Sequence, residues 1–590
     1  MIRSFFAGLG LTALAALLFA GAFPNPLIEN GVPFLAWVAY VPVFFLLYRV
    51  SLGASVLWGA LYGYTAYLLF NYWLADFHPL AGIIVHGIYM LYMAALFLVL
   101  RLAVVLFPRR AYIAHWVIWL AYEYVRTLGF LGYPYGITGY SQWRVLPLIQ
   151  IADIFGVWGV SALVVFPSAW LGAALGSGKG PLAEASPGLP RPQPSAVLAT
   201  LVRKAAYRVR VFCRGERASA IAWLAAFAAT LVYGFVAWSD FSDAPHTNIA
   251  LIQHNTDPWR GDIMAHRGNF ETLTRLSDEA LAAYPRPDMV VWSETAFVPR
   301  VHWHRTYRQH QPSWLLVRDL LDYLAAQDVP FVIGNDDSRR DPVRNPNPHE
   351  EFRVSYNAAL LFQGGEVTGV YRKMHLVPFT EHFPFRDRFP GIYRALREAD
   401  THFWSPGTEF TVFSGPGFYF STSICFEDSY GYLSREFVRR GAEVLVNLSN
   451  KAWAWSLSSQ NQQLGMAVFR SIENRRSAVR STASGQTAGI DPNGRIIAMA
   501  PPFTEAWLTV SVPIVRDRTT IYTRFGDFLG ILFALAAPLL LIIGGVLCII
   551  KKTTGDRFAV SEASGIKRFK SENPQRGKNE RPKQDTDCRR

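Results

Sequence analysis

The sequence predicts a polytopic α-helical membrane protein of eight spans that carries one α/β domain outside the cytoplasm. Three observations lead there. Apolar residues make up 51% of the 590-residue chain, and much of that share lies before Ser239. They fall into runs close to the roughly 20 residues that cross about 30 Å of hydrocarbon as a helix. The basic residues behind the net charge of +13 crowd into two segments that flank such runs.

In order, the runs lie at 5–22, 33–49, 54–75, 83–107, 111–128, 152–175 and 219–238, with an isolated eighth at 527–550. The first resembles a secretory signal, but others follow it, so it reads as a retained span. Orientation follows from the excess of Lys and Arg on cytoplasmic loops. Segment 176–218 holds eight basic against two acidic side chains, and 551–590 holds twelve against six, so each carries +6. Arg109 and Arg110, between the fourth and fifth runs, fall on the same side. Both termini and the 176–218 loop are expected in the cytoplasm, with 239–526 on the outer face. Charge placed this way is a topology signal, whereas nucleic-acid binding needs it on a folded surface. The expected divisions are 1–238 with seven spans, 239–526 as the outer domain, 527–550 as the eighth span and 551–590 as a disordered basic tail. Within the basic loop, PLAEASPGLPRPQPS reads as a flexible linker.

The pattern changes at Thr247. TNIALIQHN, PDMVVWSETA, VPFVIGN, NAALLFQ, FYFSTSICFED and AEVLVNLSN are short apolar runs that end in polar or turn residues. Between several of them lie the helix-like stretches NFETLTRLSDEALAAY, WLLVRDLLDYLAAQ, GYLSREFVRR and LGMAVFRSIENRRSAVRS. Strands alternating with helices argue for an α/β domain with helices covering the sheet faces. Glu294, Cys425 and Asn447 each close or follow a strand-like run, where reactive groups of such domains gather.

The four cysteines have no close spacing, so neither a zinc cage nor a disulfide framework is indicated. The histidines show no HExxH-like spacing, and no metal is expected. Cys425 is the single cysteine of 239–526. One reading makes it a buried small hydrophobe. The other makes it a nucleophile, since ICFED sets two carboxylates after it and continued strand would put Glu427 on its face. A thiol needs a base or a cation to attack a carbonyl efficiently. Glu294, His254, His375 and His382 are candidates for the base, and Lys373, in YRKMHLVPFTEHFPF, for the cation. Glu294 as a helix cap and Lys373 as a solvated loop charge are the plainer alternatives. Spacing alone does not make these groups converge.

The ordered set VVWSETA, YRKMHLVPFTEHFPF and STSICFEDSY resembles the Glu–Lys–Cys triad of the nitrilase, or carbon–nitrogen hydrolase, superfamily. Together with NLSNKAW, ASGQTAGIDPNGR and, in the membrane part, AYEYVR, GYPYGITGYSQ and GVWGVSALVV, the chain to about Lys551 resembles the bacterial apolipoprotein N-acyltransferases. The resemblance implies a nitrilase-like α–β–β–α sandwich on the periplasmic side of a multi-pass protein of the bacterial cytoplasmic (inner) membrane. It implies transfer of a fatty acyl group from a phospholipid to the N-terminal amine of a diacylglyceryl-modified lipoprotein, with no cofactor, by a monomer. Glu294 matches the general base, Lys373 the stabilising cation and Cys425 the nucleophile that becomes a thioester. Glu381 matches a second glutamate of the site. Glu427, Trp453, Pro384, Phe385 and Trp259 are further candidates for binding or support. The chain departs from the family pattern at Thr380, where glycine is common, at Lys451, where an acidic or amide residue is usual, and in the early position of Trp259.

Segment 382–410, rich in Phe and Tyr and broken by Pro and Gly, suits a lipid-facing lid, with Arg386 and Arg388 placed to meet a phosphate. Packing of those rings onto the domain is the alternative. Rival functions are a membrane-anchored amidase acting on small amides, a transporter or receptor whose outer domain only binds lipid or lipoprotein, and an envelope scaffold. The amidase leaves six of the seven leading spans without a role. A transporter needs ionisable residues along its spans, and few beyond Arg101, Glu123 and Arg126 are present.

Overall fold

A computed structural model describes residues 2–77, 79–177, 194–345, 347–398 and 403–568. Most of the expected linker and the tail beyond Arg568 lie outside the described residues.

Five helices are long and apolar enough to cross a membrane: Ser4–Ala22, Ala81–Leu106, Val157–Gly176, Arg217–Val236 and Phe528–Ile550. The other three expected runs differ for local reasons. In 33–49 a 3-10 turn, Pro33–Trp37, is followed by the separate helix Val41–Leu47. The first begins at Pro33 and the second has Pro42 in its first turn, where the missing N–H that a helix interior needs is tolerated. Run 111–128 forms a helix of only 15 residues, Ala111–Val125. Run 54–75 forms Leu52–Phe70, whose glycines and tyrosines dilute its apolar character. Two of those glycines have a packing role. A Cβ on Gly59 or Gly63 would meet the carbonyl oxygen of Met93 or Tyr89 at 2.3 Å, so this helix lies backbone-close against Pro79–Leu106.

Helices also lie in the two basic segments. Segment 176–218 contains the helix Pro194–Gly215, and the last apolar helix continues to Arg568.

The second half of the chain builds twelve strands: β1 His246–Gln253, β2 Met289–Val291, β3 Phe331–Arg340, β4 Arg353–Gln363, β5 Glu366–Arg372, β6 Val412–Ser414, β7 Tyr419–Ile424, β8 Val444–Ser449, β9 Ser477–Thr482, β10 Ala488–Ile490, β11 Ile496–Met499 and β12 Ala506–Pro513. They form two six-stranded sheets, ordered β12-β1-β2-β3-β4-β5 and β11-β10-β9-β8-β7-β6. Strands β1, β2 and β3 run parallel, as do β7, β8 and β9, while the flanking pairs are antiparallel.

The sheets pack face to face, β1 on β9, β10 on β12 and β4 on β7. Ser481 of β9 crosses the gap, donating its hydroxyl to the carbonyls of Ile252 at 3.2 Å and Val291 at 3.0 Å. Helices Ile263–Ala282 and Gln311–Ala325 cover the first sheet, and Leu457–Asn474 covers β9 of the second. Alternate strand residues Ala250, Ile252, Val290, Trp292, Ile333 and Leu360 pack with Leu273, Leu276, Leu316 and Leu320 of the helices, all buried. The opposite faces, including Ile249, Leu251, Val291 and Val332, are also fully buried. Strands buried on both faces explain the near-continuous apolar runs in the sequence.

Helix Leu457–Asn474 is buried along nearly its whole length despite its amides, because it lies between sheet and membrane helices. Gln462 Nε2 donates to the carbonyls of Pro24 and Phe70, and Asn461 Nδ2 donates to that of Glu29. Just beyond its end, Arg475 pairs with Asp153 at 2.7 Å. Buried amides keep their place only when hydrogen-bonded. These bonds join the two parts into one surface, at which the site forms.

Candidate active site

Each reactive group stands at the carboxyl end of a strand. Glu294 follows β2, Lys373 follows β5, Cys425 follows β7 and Asn450 follows β8. The two sheets bring these ends together from chain positions far apart.

Glu294 is 5% exposed and held from both sides. Its Oε1 accepts from Asn357 Nδ2 at 2.8 Å and Lys373 Nζ at 3.3 Å, and its Oε2 accepts from the Asn450 backbone N–H at 2.7 Å. It caps no helix. Lys373 is fully buried rather than solvated and also donates to Glu381 Oε1 at 2.9 Å. Burial favours the neutral amine, but the Glu381 and Glu294 carboxylates outweigh it and hold the ammonium above its ordinary range. Glu381 is oriented in turn by the Val377 N–H, at 2.9 Å to Oε2.

At Cys425 the strand stops and a 3-10 turn, Cys425–Ser429, begins. The residue has φ of +56°, a left-handed conformation that costs a side-chain-bearing residue about 1–3 kcal/mol. Its carbonyl oxygen accepts from Gln463 Nε2 at 2.8 Å and Asn447 Nδ2 at 3.0 Å, which holds the turn. Burial, reinforced by Glu294, pushes the thiol up to about 11, with Lys373 and Lys451 opposing. The resting group is therefore a thiol.

The turn corrects the expected placement of Glu427. It is fully buried, and its carboxylate accepts from Tyr371 OH and from the N–H groups of Met374, His375 and Ile424, at 2.8 to 3.0 Å. It thereby ties the backbone after Lys373 to the strand end before Cys425. Burial pushes this carboxyl up to about 7 against those donors.

A cavity of about 370 Å³ joins the two halves. Glu294, Glu381, Cys425, Phe426, Asn450 and Lys451 line one part, and Ala81, Ile84, Val85, Ile88 and Tyr92 line another. The second set recurs every three or four residues, one face of the helix Pro79–Leu106. Trp73, Tyr133, Tyr135 and Thr380 complete much of the wall.

Of the supporting candidates, Trp259 and Trp453 reach the cavity. The Trp259 ring lies 5.8 Å from Trp404, and Trp453 donates its indole N–H to the Asn450 carbonyl at 2.9 Å. Pro384 and Phe385 do not line it. Both are exposed, and the Phe385 ring packs 5.6 Å from Phe130. Within the proposed lid segment, Leu396 and Trp404 are the residues that reach the cavity wall among those described.

The histidines are not the base. His375 lines a different cavity, bonds through Nδ1 to Tyr432 OH at 2.7 Å and is pushed down to about 4 by burial. His254 and His382 are absent from the cavity wall. Asn357, Asn450 and Gln463 escaped notice in the sequence, because each acts through a backbone or carboxylate that only folding brings near. Among the described residues no group of three or more His, Cys, Asp or Glu side chains is arranged to hold a metal.

Known proteins share both parts. A carbon–nitrogen hydrolase profile matches residues 248–522, and an apolipoprotein N-acyltransferase N-terminal domain profile matches 15–170. Apolipoprotein N-acyltransferase 1 of Treponema denticola is 43% identical over 532 residues, covering 88% of this chain and 93% of that protein. Its namesake in Treponema pallidum is 46% identical over 552 residues, covering 91% and 95%. An apolipoprotein N-acyltransferase of Geobacter metallireducens is 30% identical over 535 residues, covering 88% and 91%.

Proposed function

The chain belongs to the apolipoprotein N-acyltransferase family, and on that premise we propose that it carries an acyl group on Cys425 between a phospholipid and a lipoprotein amine. It is an acyltransferase with a carbon–nitrogen hydrolase domain. The observation that carries the reading is the single cavity in which Cys425 and Glu294 face the apolar side of the helix Pro79–Leu106. A reactive thiol opening onto lipid-like walls suits an acyl ester better than a small amide.

The steps follow from the geometry. With its thiol pushed up to about 11, Cys425 needs a base, and Glu294 is oriented for that by Asn357, Lys373 and Asn450. Glu294 takes the thiol proton and the thiolate adds to the ester carbonyl of the phospholipid. The carbon–oxygen bond to glycerol breaks, and Glu294 returns the proton to that oxygen. The amine of an S-diacylglyceryl-cysteine then attacks the thioester, its proton passing through Glu294 to the departing sulfur. Lys373 spends two of its three N–H donors on Glu381 and Glu294, which leaves one for the oxyanion of each tetrahedral intermediate. Apolar walls disfavour water, the competing acceptor.

In the same reading the chain crosses the bacterial inner membrane eight times, with 239–526 in the periplasm and both termini in the cytoplasm. Five sufficiently long apolar helices and the two +6 segments support this. One chain supplies every group named, so a monomer suffices.

The test is the mass of the Cys425 peptide after the detergent-solubilised protein meets phospholipid without acceptor. An added acyl mass that hydroxylamine removes is expected, and a peptide beginning with diacylglyceryl-cysteine should discharge it into an amide. An adduct that forms only from small amides, or that water discharges equally fast, overturns the reading in favour of a hydrolase.

A further inference from the structure

The cavity contains a lysine that none of these steps uses. Lys451, in the turn after β8, is 2% exposed and lines the cavity with Cys425 and Glu294. Its carbonyl accepts from the Ala454 N–H at 3.2 Å, which fixes the turn. Among the described residues its ammonium has no ion pair, and it rests 5.2 Å from the centre of the Trp453 ring.

A buried ammonium without a carboxylate is costly, and it keeps its proton only where negative charge stands or develops beside it. Charge around the thiol shows where. Glu294 and Glu381 share the single ammonium of Lys373, at 3.3 and 2.9 Å, which leaves one negative charge uncompensated. Arg480, entering from β9, is paired with Asp428. Tyr135 approaches from the membrane part and brings no cation. Among the described residues Lys451 is thus the one Lys or Arg that lines the cavity, and it has no carboxylate partner.

We propose that Lys451 is the counter-charge for the Cys425 thiolate, a positioning residue that acts through the thiol and makes this a two-lysine centre. Asp257, also on the wall, is paired with Arg260 at 3.3 Å, so with Lys451 charged the two lysines balance Glu294 and Glu381, and passing the thiol proton to Glu294 keeps that balance. Without Lys451 the thiolate forms in a pocket that is already negative. Burial draws Lys451 below its ordinary range, Cys425 and Glu294 oppose that shift, and Lys451 in turn draws the thiol down.

The inference rests on Cys425 as the nucleophile, and its test uses no lipid, so it fails or succeeds independently of acyl transfer. The rate of Cys425 alkylation by iodoacetamide is followed by peptide mass in the full-length protein in detergent, from pH 7 to 9. Below the thiol pKa this rate tracks the thiolate fraction. Lys451→Met and Lys451→Gln should each lower it about tenfold at every pH, the equivalent of one pKa unit. Lys451→Arg should restore it. Thermal unfolding in the same detergent confirms that the variants are folded. An unchanged rate in either neutral variant overturns the proposal. So does a loss that Lys451→Arg fails to restore, since fit rather than charge would then be responsible.

Discussion

The Glu294 carboxylate receives three donors, and that convergence makes two measurable demands. Glu294→Gln turns an NH2 toward at least one of those donors and removes the proton acceptor while keeping the size. Adduct formation should fall by about 10²–10⁴-fold, the usual worth of a positioned base. A rate within threefold of the parent would remove Glu294 from the chemistry. The thiol makes its own prediction. Because burial favours its protonated form and pushes it up to about 11, alkylation of Cys425 should climb roughly tenfold per pH unit between pH 6 and 9. A plateau at neutral pH would show a thiol already ionised and in no need of a base. Cys425, Lys373 and Glu294 were legible in the sequence as types in an order. Their partners Asn357 and Asn450 were not, since an asparagine in a strand or a turn carries no chemical signature until a carboxylate lies beside it.

Among the elements, β3 bears directly on the site although it contributes no reactive group. A Cβ on Gly334 would lie 2.3 Å from the Ser293 carbonyl oxygen and 2.7 Å from Glu294 Cα. Both are backbone atoms that cannot swing aside. Gly334→Ala should therefore displace the Glu294 turn, with about 1–3 kcal/mol lost to overpacking and adduct formation cut at least tenfold. Unfolding in denaturant and the thioester mass read the two effects separately. A variant with full activity would show that the turn tolerates the shift. Element boundaries show where pattern reading runs out. The strands of the second half were visible as apolar runs ending in polar residues, and β1, β2, β3, β4, β7 and β8 stand where they were expected. The strand reading that continued through Cys425 to Glu427 failed. Four donors collect on Glu427 from β5, the Lys373 loop and Ile424, and they draw the chain into a turn. Run 33–49 is divided into two short helices for a local reason, Pro33 opening the first and Pro42 standing in the first turn of the second.

For the whole molecule, orientation is the property to test. In cells carrying Ser195→Cys or Val343→Cys, an impermeant maleimide should label position 343, where the side chain is 92% exposed, once the outer membrane is opened. Position 195 should react only after the inner membrane is permeabilised, and labelling there beforehand overturns the proposed orientation. Composition, run length and charge placement carry the expectation at this scale, because hydrocarbon thickness and the cytoplasmic excess of basic residues act on any sequence alike. The sequence by itself determined that apolar helices precede an α/β domain, and which cysteine, glutamate and lysine match the pattern of the family's triad. Only the tertiary structure decided that Glu427 is a clamp, that Pro384 and Phe385 stand off the cavity and that Lys451, without an ion pair among the described residues, faces it. The physical reason is distance along the chain. A residue's charge balance depends on neighbours brought from strands and helices hundreds of positions away, and no local pattern records them.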